Sequence, residues 1–160
     1  MAYLIDGNNF IGHTSSYKLR DPRSKYELVS KLITFQKVKR TRIHLVFDGS
    51  PDPNFLHQNL QTKRFSIAYP QEGESGDETI KRIISKQTDL RRFFVVSSDR
   101  EIQHFAKAKG AKVLSCSEFK KELRRGLRTY RKSLEEKKKV TSPSDLEISH
   151  WLEIFKMKNG

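Results

Sequence analysis

Aspartates close three predicted strands of this chain, and a fourth aspartate lies in the first turn of a predicted helix. Short apolar runs lead into Asp6, Asp48 and Asp99, while Asp77 follows a helix start at Gly76. In a parallel sheet the carboxyl ends of all strands lie on one edge, which is where open α/β sheets place their ligands. Helices that start directly from those ends have their first turns there too. We therefore expect the four aspartates to converge at one edge of the sheet.

A cluster of unpaired carboxylates indicates a bound hard cation. Like charges raise one another's pKa, and a divalent metal is the usual compensation. Ligands that are all oxygen select Mg²⁺ or Mn²⁺. Such a metal polarises a phosphoryl oxygen and generates a hydroxide-like nucleophile from its water, which suits phosphodiester hydrolysis. Asn9, Ser97 and Ser98 are candidates to hydrogen-bond the carboxylates or the metal's water ligands. For each aspartate taken alone, the alternative is a cap of a helix or turn.

The charge balance indicates a polyanionic partner. The chain of 160 residues has 32 Lys and Arg against 19 Asp and Glu, which gives a net charge of +13 and a pI near 9.9. No run approaches the ~20 apolar residues of a membrane span, so nucleic acid is the expected partner and not a membrane. The alternative is that the basic residues only keep the protein soluble.

The cysteine content indicates a reducing compartment. Cys116 is the only cysteine, which excludes an intramolecular disulfide and argues against a Cys-based zinc site. We expect it to be a small buried side chain near a strand end. The N-terminus has no basic region ahead of an apolar stretch, so a cytoplasmic protein is expected.

Strands and helices are predicted to alternate, which favours a three-layer α/β/α domain with a mainly parallel sheet of about five strands. Gly7 is expected to permit a sharp turn into a polar loop over 12–22. Ser24 and Glu27 have the spacing of a capping box, and Gly126 weakens the last long helix by about 1 kcal/mol relative to alanine. The predicted strands are one ending at Asp6 and those at 43–47, 63–69, 93–96 and 112–114. The predicted helices are those over 24–38, from 76, from 100, over 117–139 and from 144, with a short turn over 54–60.

Four motifs, taken in order, resemble the NYN branch of the PIN-like nucleases. They are Asp6-Gly7-Asn8-Asn9, Asp48-Gly49, Gly76-Asp77-Glu78 and Ser97-Ser98-Asp99. The YacP-like group of ribosome-associated endoribonucleases is the most similar group, over about residues 1–120, and the closing Trp151 and Phe155 also resemble its tail. The chain departs from the family at Asn8, where tyrosine is common, and at Gly49, where another small residue is common.

This resemblance implies a PIN-like fold and a set of site residues. Residues 1–116 would form the catalytic core, and residues 117–160 would add a basic helix and a C-terminal helix packed on the same domain. The implied catalytic metal-site acids are Asp6, Asp77 and Asp99, with Asp48 and Asn9 as their support and Glu74 nearby.

The predicted helix 117–139 is the main candidate for contact with RNA or the ribosome. Residues 107–139 hold 13 Lys and Arg against 4 Asp and Glu. The alternative is a solvated face on a packed helix. The candidate RNA-binding residues are Arg124, Arg125, Arg128, Arg131, Lys132, Lys137, Lys138 and Lys139. Tyr17, Tyr69 and Phe10 are candidates to stack on bases, with core or loop packing as the alternative.

Three classes of function are compatible with these observations. The first is a Mg²⁺-dependent endoribonuclease that acts on single-stranded or ribosome-bound RNA. The second is a non-catalytic module that binds RNA or the ribosome, although a pure binder gains nothing from carboxylates that repel phosphate. The third is a phosphoacceptor signalling domain, which would need a lysine at the end of the last strand, where Leu114, Ser115 and Cys116 stand. No nucleophile motif supports a Ser-His-Asp or Cys-His enzyme.

Overall fold

Five parallel strands form the centre of the computed structural model, which describes residues 1–14, 21–53, 62–137 and 152–154. The strands are β1 (Ala2–Asp6), β2 (Arg42–Val46), β3 (Phe65–Ala68), β4 (Phe93–Val96) and β5 (Lys112–Leu114). Their order in the sheet is β3-β2-β1-β4-β5. The predicted α/β fold with a parallel sheet is confirmed. The predicted turn over 54–60 and most of the helix from 144 lie outside the described residues.

Helices cover both faces of this sheet. They are α1 (Gly7–Thr14), α2 (Pro22–Lys39), α3 (Gly76–Lys86), α4 (Arg100–Lys109) and α5 (Cys116–Glu136). A hydrophobic core lies on each face of the sheet. Alternate residues of β1 pack into these two cores, because side chains along a strand point to opposite faces. Tyr3 and Ile5 pack with Phe35 and Phe119 of α2 and α5, whereas Leu4 packs in the second core with the isoleucines of α3 and α4.

The strand order creates a ligand-binding position beside β1. The chain builds β2 and β3 on one side of β1 and then places β4 and β5 on the other side. Ligands of open α/β sheets bind where the order reverses in this way, at the carboxyl ends of the strands. Here that position lies between Asp6 and the residues after Val96, since Ile5 pairs with Val96 in the register of β1 and β4.

The region after β1 differs from its prediction. Gly7 does not turn the chain but begins α1, which continues to Thr14. A Cβ at Gly7 would lie 2.6 Å from the ring of Phe47 and 2.8 Å from the carbonyl oxygen of Val46. Glycine is therefore required because α1 starts against the end of β2, and not because the backbone needs a special conformation.

The start of α2 also differs from its prediction, since Ser24 does not cap it. The cap is Asp21, whose carboxylate accepts a hydrogen bond from the backbone N–H of Arg23 at 3.0 Å, and Pro22 opens the helix. Proline at the first helical position has the right φ in advance and loses no hydrogen bond there. Ser24 is buried and Glu27 pairs with Lys31 at 2.6 Å. The Asp–Pro pair thus places the helix start earlier than the capping-box spacing predicted.

The basic helix α5 packs closely on α2. It begins with a capping box formed by Ser115 and Glu118. A Cβ at Gly126 would lie 2.8 Å from the ring of Phe35, which is fully buried. The glycine predicted to weaken this helix is therefore the residue that lets it approach α2.

We expect Gly126→Ala to destabilise the protein by up to about 2 kcal/mol. Overpacking against the fully buried Phe35 ring costs about 1–3 kcal/mol, which is offset in part by the gain of about 1 kcal/mol in helix propensity. Urea unfolding measures the difference. Gly12→Ala in α1 is the matched control, because a Cβ there meets nothing within 4 Å, and it should be neutral or stabilising. A stability gain in both variants would contradict the close packing at Gly126.

Candidate active site

Asp6 lies at the carboxyl end of β1 and its carboxylate is held from the neighbouring strand. The hydroxyl of Ser97, the residue after β4, donates a hydrogen bond to Oδ2 of Asp6 at 3.1 Å. Burial raises the pKa of Asp6 to about 6, hydrogen bonds from Ser97 and Asn9 oppose the rise, and the charges of Asp77 and Asp48 add to it. This acid is thus oriented by a hydrogen bond and lies within the electrostatic field of two other carboxylates.

Asn9 connects three segments of the chain at this edge. Its Oδ1 accepts hydrogen bonds from the backbone N–H of Ser98 at 2.8 Å, from the thiol of Cys116 at 3.2 Å and from the Ser97 hydroxyl at 3.4 Å. Cys116 is fully buried, as expected from the sequence, and burial is the main cause that raises its pKa. Asn9 therefore joins α1, the end of β4 and the first residue of the basic helix.

The segment Ser97–Asp99 presents the second acid of the edge. Ser97 is fully buried, and its Oγ accepts from the backbone N–H of Asp99 at 3.1 Å. Asp99 caps α4, because its Oδ1 accepts from the backbone N–H groups of Glu101 at 2.8 Å and Ile102 at 3.3 Å. The capping alternative therefore holds for Asp99. Its Oδ2 makes no hydrogen bond with the described residues and is available to a ligand.

Asp48 and Asp77 approach each other through a glycine. Asp48 follows β2, and its backbone N–H donates to Oδ1 of Asn8 at 3.0 Å. A Cβ at Gly76 would overlap the carboxylate of Asp48, so a larger residue at the start of α3 would displace that side chain. The sequence predicted Gly76 as a helix start but gave no signal of this contact, which depends on the loop before α3.

Asp77 lies in the first turn of α3 and is exposed. Its pKa is raised by desolvation first, then by the charges of Asp99, Asp48 and Glu101, while Lys81 lowers it. Lys81 itself pairs with Glu101 at 2.5 Å, and the charges of Asp77 and Asp99 help to raise its pKa. The charges of Asp77 and Asp48 thus raise the pKa of Asp6, and those of Asp99 and Asp48 raise the pKa of Asp77.

The loop before α3 is fixed by an ion pair that the sequence did not predict. Glu74 accepts hydrogen bonds from Nε of Arg82 at 2.9 Å and from the hydroxyl of Thr79 at 2.6 Å. These bonds lower the pKa of Glu74 to about 2, and the bond from Arg82 makes the largest contribution. The family resemblance implied that Glu74 lies near the acids; in the structure its carboxylate is bound to Thr79 and Arg82 of α3. It orients the helix start that carries Asp77.

The site residues fall into two groups. Asp6 with Asn9, Ser97, Ser98 and Asp99 forms one hydrogen-bonded network. Asp48 and Asp77 form the second group, brought together at Gly76. Within the ranges that the structure describes, no three Asp, Glu, His or Cys side chains lie close enough to hold a metal ion as they stand.

The candidate RNA-binding side chains are accessible on α5. Those in the described part are exposed and make no ion pair there, while Lys138 and Lys139 lie outside the described residues. They are Arg124, Arg125, Arg128, Arg131, Lys132 and Lys137. Of the stacking candidates, Phe10 is buried against Phe119 and Tyr69 packs beside Phe47, whereas Tyr17 is not among the described residues. In the described part of the chain, no helix is both long and apolar enough to cross a membrane.

Comparison with known proteins agrees with this architecture. Two crystal structures of Rae1 (YacP) from Bacillus subtilis are similar to this chain. One shares 24% identity with a TM-score of 0.68 and covers 98% of this chain and 91% of that chain. The other, a point mutant, shares 20% identity with a TM-score of 0.69 and covers 92% of this chain and 90% of that chain. At these identities the likeness shows the fold. No curated protein sequence matches the chain.

A family profile gives the stronger assignment. The profile described as "YacP-like NYN domain" matches residues 3–155, almost the whole length of the chain. This match contains all four aspartates and the whole of α5, and it confirms the family that the motifs resemble. The chain therefore belongs to the YacP-like NYN domain family, within the PIN-like nucleases.

Proposed function

We propose that this protein is a metal-dependent endoribonuclease that hydrolyses phosphodiester bonds of RNA. The observation that carries the proposal is the shared edge of four aspartates, two of which have pKa values raised partly by the other carboxylates. The family assignment supports the reaction class. Ribosome-bound RNA as the substrate rests on the family resemblance alone.

The donor set fits a hard divalent cation. The four carboxylates are oxygen donors, which select Mg²⁺ or Mn²⁺ over softer metals. No described lysine or arginine forms an ion pair with any of them. The charge of Lys81 lowers the pKa of Asp77, but its ammonium is paired with Glu101. Within the described residues the negative charge at the edge is therefore only partly compensated by cationic side chains. Asp6, Asp77 and Asp99, with Asp48 in support, would hold the ion.

The chain's own residues would orient the reaction. A bound Mg²⁺ or Mn²⁺ would polarise a phosphoryl oxygen and lower the pKa of a metal-bound water. Ser97 fixes two acids at once, because it donates to Asp6 and accepts from the backbone of Asp99. Asn9 holds the Ser98 backbone against α1. The basic residues of α5 would hold phosphates without reading bases.

A non-catalytic RNA-binding module is the second candidate. The exposed arginines of α5 favour it, since they need no metal to bind phosphate. The acidic edge argues against it, because carboxylates repel RNA and contribute nothing to such binding. RNA binding without metal-dependent cleavage would establish this second function.

Asp99→Asn should abolish cleavage of single-stranded RNA in Mg²⁺ or Mn²⁺. Loss of one ligand from the metal site removes several kcal/mol of transition-state stabilisation, which corresponds to a rate at least about 100-fold lower. Asparagine caps a helix as well as aspartate does, so the fold and the RNA affinity should persist. Initial cleavage rates, with EDTA as the blank, measure the effect.

Asp89→Asn is the matched control for this substitution. Asp89 is an exposed aspartate paired with Arg91, away from the acidic edge, and its replacement should leave the cleavage rate unchanged. Metal-dependent cleavage at the wild-type rate by Asp99→Asn would exclude Asp99 from the active site.

Asp6→Asn should stabilise the metal-free protein at neutral pH. The pKa of Asp6 rises from 3.8 to about 6 on folding, so the folded state binds this proton more tightly than the unfolded state does. Ionisation of Asp6 therefore costs stability as pH rises from about 4 to 6, up to about 3 kcal/mol above that window. The variant should gain this amount near pH 7.5 and nothing below about pH 4, measured by urea unfolding in EDTA.

Asp89 is a control for the direction of this effect, because its pKa is shifted the opposite way from that of Asp6. Arg91 lowers the pKa of Asp89 to about 2, so Asp89 stabilises the fold above the ordinary aspartate pKa and loses that effect in acid. Asp89→Asn should therefore lower stability at neutral pH, opposite to Asp6→Asn. Equal stability of Asp6→Asn and wild type at all pH values would show that ionisation of Asp6 does not destabilise the folded protein.

A further inference from the structure

A half-open cleft of about 280 Å³ lies between α1, α2 and α5, apart from the aspartates. Its buried side chains are mostly apolar, among them Ile11, Leu28 and Leu123, with the hydroxyl group of Ser24 beside them. Leu127 borders it and is only partly buried. The volume is just below the range of about 300–1,000 Å³ for sites that hold drug-sized ligands, so the cleft suits a smaller group.

The opening of the cleft is cationic. Lys31, Lys120 and Arg124 line it, against the single carboxylate of Glu27. That carboxylate is already paired with Lys31 at 2.6 Å. Lys120 donates to the carbonyl oxygen of Thr14 at 3.4 Å, and Arg124 has no hydrogen bond or ion pair with the described residues. An apolar interior beneath free positive charge is complementary to a planar base that carries a phosphate.

The cleft and the acidic edge share helix α1. Asn9 belongs to the acidic network, while Ile11 and Thr14 of the same helix line the cleft. At 1.5 Å per residue, Asn9 and Thr14 are separated by about 7.5 Å along the helix axis. The two sites are therefore close enough along α1 for one nucleic acid strand to contact both.

The cationic side of the cleft extends along the basic helix. Successive residues of a helix are about 100° apart, so positions four and seven apart share a face. Lys120, Arg124 and Arg131 therefore lie in a row that begins at the cleft. Arg125 and Lys132 lie about a quarter turn away and do not line the cleft.

We propose that this cleft is a nucleoside-binding subsite that takes one unstacked base of the RNA, with neighbouring phosphates on Lys120, Arg124 and Arg131. The proposal rests on the proposed function for the identity of the polymer. It specifies the substrate as a strand that is unpaired beside the cleavage point. A base held in a duplex cannot enter the cleft, because its apolar faces are stacked on its neighbours.

Binding of a short homopolymer tests the proposal without any cleavage. The probes are a fluorescent uridine tetranucleotide, the same tetranucleotide with every base removed, and a duplex of equal length, each titrated in EDTA with the full chain. The bases should raise the affinity about tenfold over the abasic probe. The duplex should bind no better than the abasic probe. Equal affinity for the uridine and abasic probes would overturn the proposal.

Two variants locate the effect. Leu127→Trp, which fills the cleft, should abolish the difference between the uridine and abasic probes. Arg124→Gln should weaken binding of the tetranucleotide more than Arg125→Gln, the matched control with the same charge change on another face of α5. Base-dependent affinity that persists in Leu127→Trp, or equal weakening by the two arginine variants, would place the base elsewhere.

Methyl NMR of the wild-type chain makes the test independent of how the variants fold. The uridine tetranucleotide should shift the methyl signals of Ile11 and Leu28, and the abasic probe should not. Base-dependent shifts confined to other methyl groups would reject the cleft. Base-dependent binding here without metal-dependent cleavage would overturn the proposed function alone. Cleavage without base-dependent binding here would overturn this inference alone.

Discussion

The hydrogen bond from Ser97 to Asp6 is the interaction on which the acidic edge depends. It joins the ends of β1 and β4, the two strands at which the sheet order reverses. Ser97 is fully buried, so its hydroxyl must find partners, and it finds them in the carboxylate of Asp6 and the backbone of Asp99. This bond favours the ionised form of Asp6 against the burial that opposes it. The carboxylate of Asp6 is thereby kept ready to ionise at the end of a buried strand.

Close backbone approach is the second requirement, and three glycines satisfy it. Gly7 lets α1 start against β2, Gly76 lets α3 start against Asp48, and Gly126 lets the basic helix lie on Phe35 of α2. None of the three has a positive φ, so what each contributes is the absence of a side chain. The first two bring carboxylates to the same edge, and the third fixes the cationic helix to the same layer. The close packing at these three glycines therefore helps to set the positions of the acidic edge and of the basic helix.

Local patterns in the sequence predicted the elements well, but they contained little about long-range contacts. The apolar run at Phe93–Val96 predicted a strand with the bounds that the structure shows, because a buried strand consists of apolar residues. Gly110 correctly predicted the end of a helix, because the left-handed backbone at that position favours glycine. The start of α2 was predicted too late. From the sequence alone, the capping-box spacing of Ser24 and Glu27 is as good a helix-start signal as Asp21 followed by Pro22, and the structure uses the latter. Contacts such as Asn9 with Cys116 are 107 residues apart in sequence and leave no local pattern. The position of the acids at one edge could be predicted because it follows from sheet topology. Within the described residues no three of their side chains lie close enough to hold a metal ion, and their spacing depends on loop geometry that leaves no local pattern.

Cleavage is proposed for the acidic network and phosphate binding for the basic helix, and the two are joined directly in the structure. The first residue of α5, Cys116, donates its backbone N–H to Ser98 at 3.1 Å and its thiol to Asn9. The helix is continuous from Cys116 to Glu136, and Arg124 lies eight residues on from Cys116, about 12 Å along the axis. Phosphates bound along α5, as proposed, would therefore lie at a distance from the aspartates that the helix sets. Because an acidic edge by itself would repel RNA, cationic binding along the helix would then hold a phosphate against that repulsion.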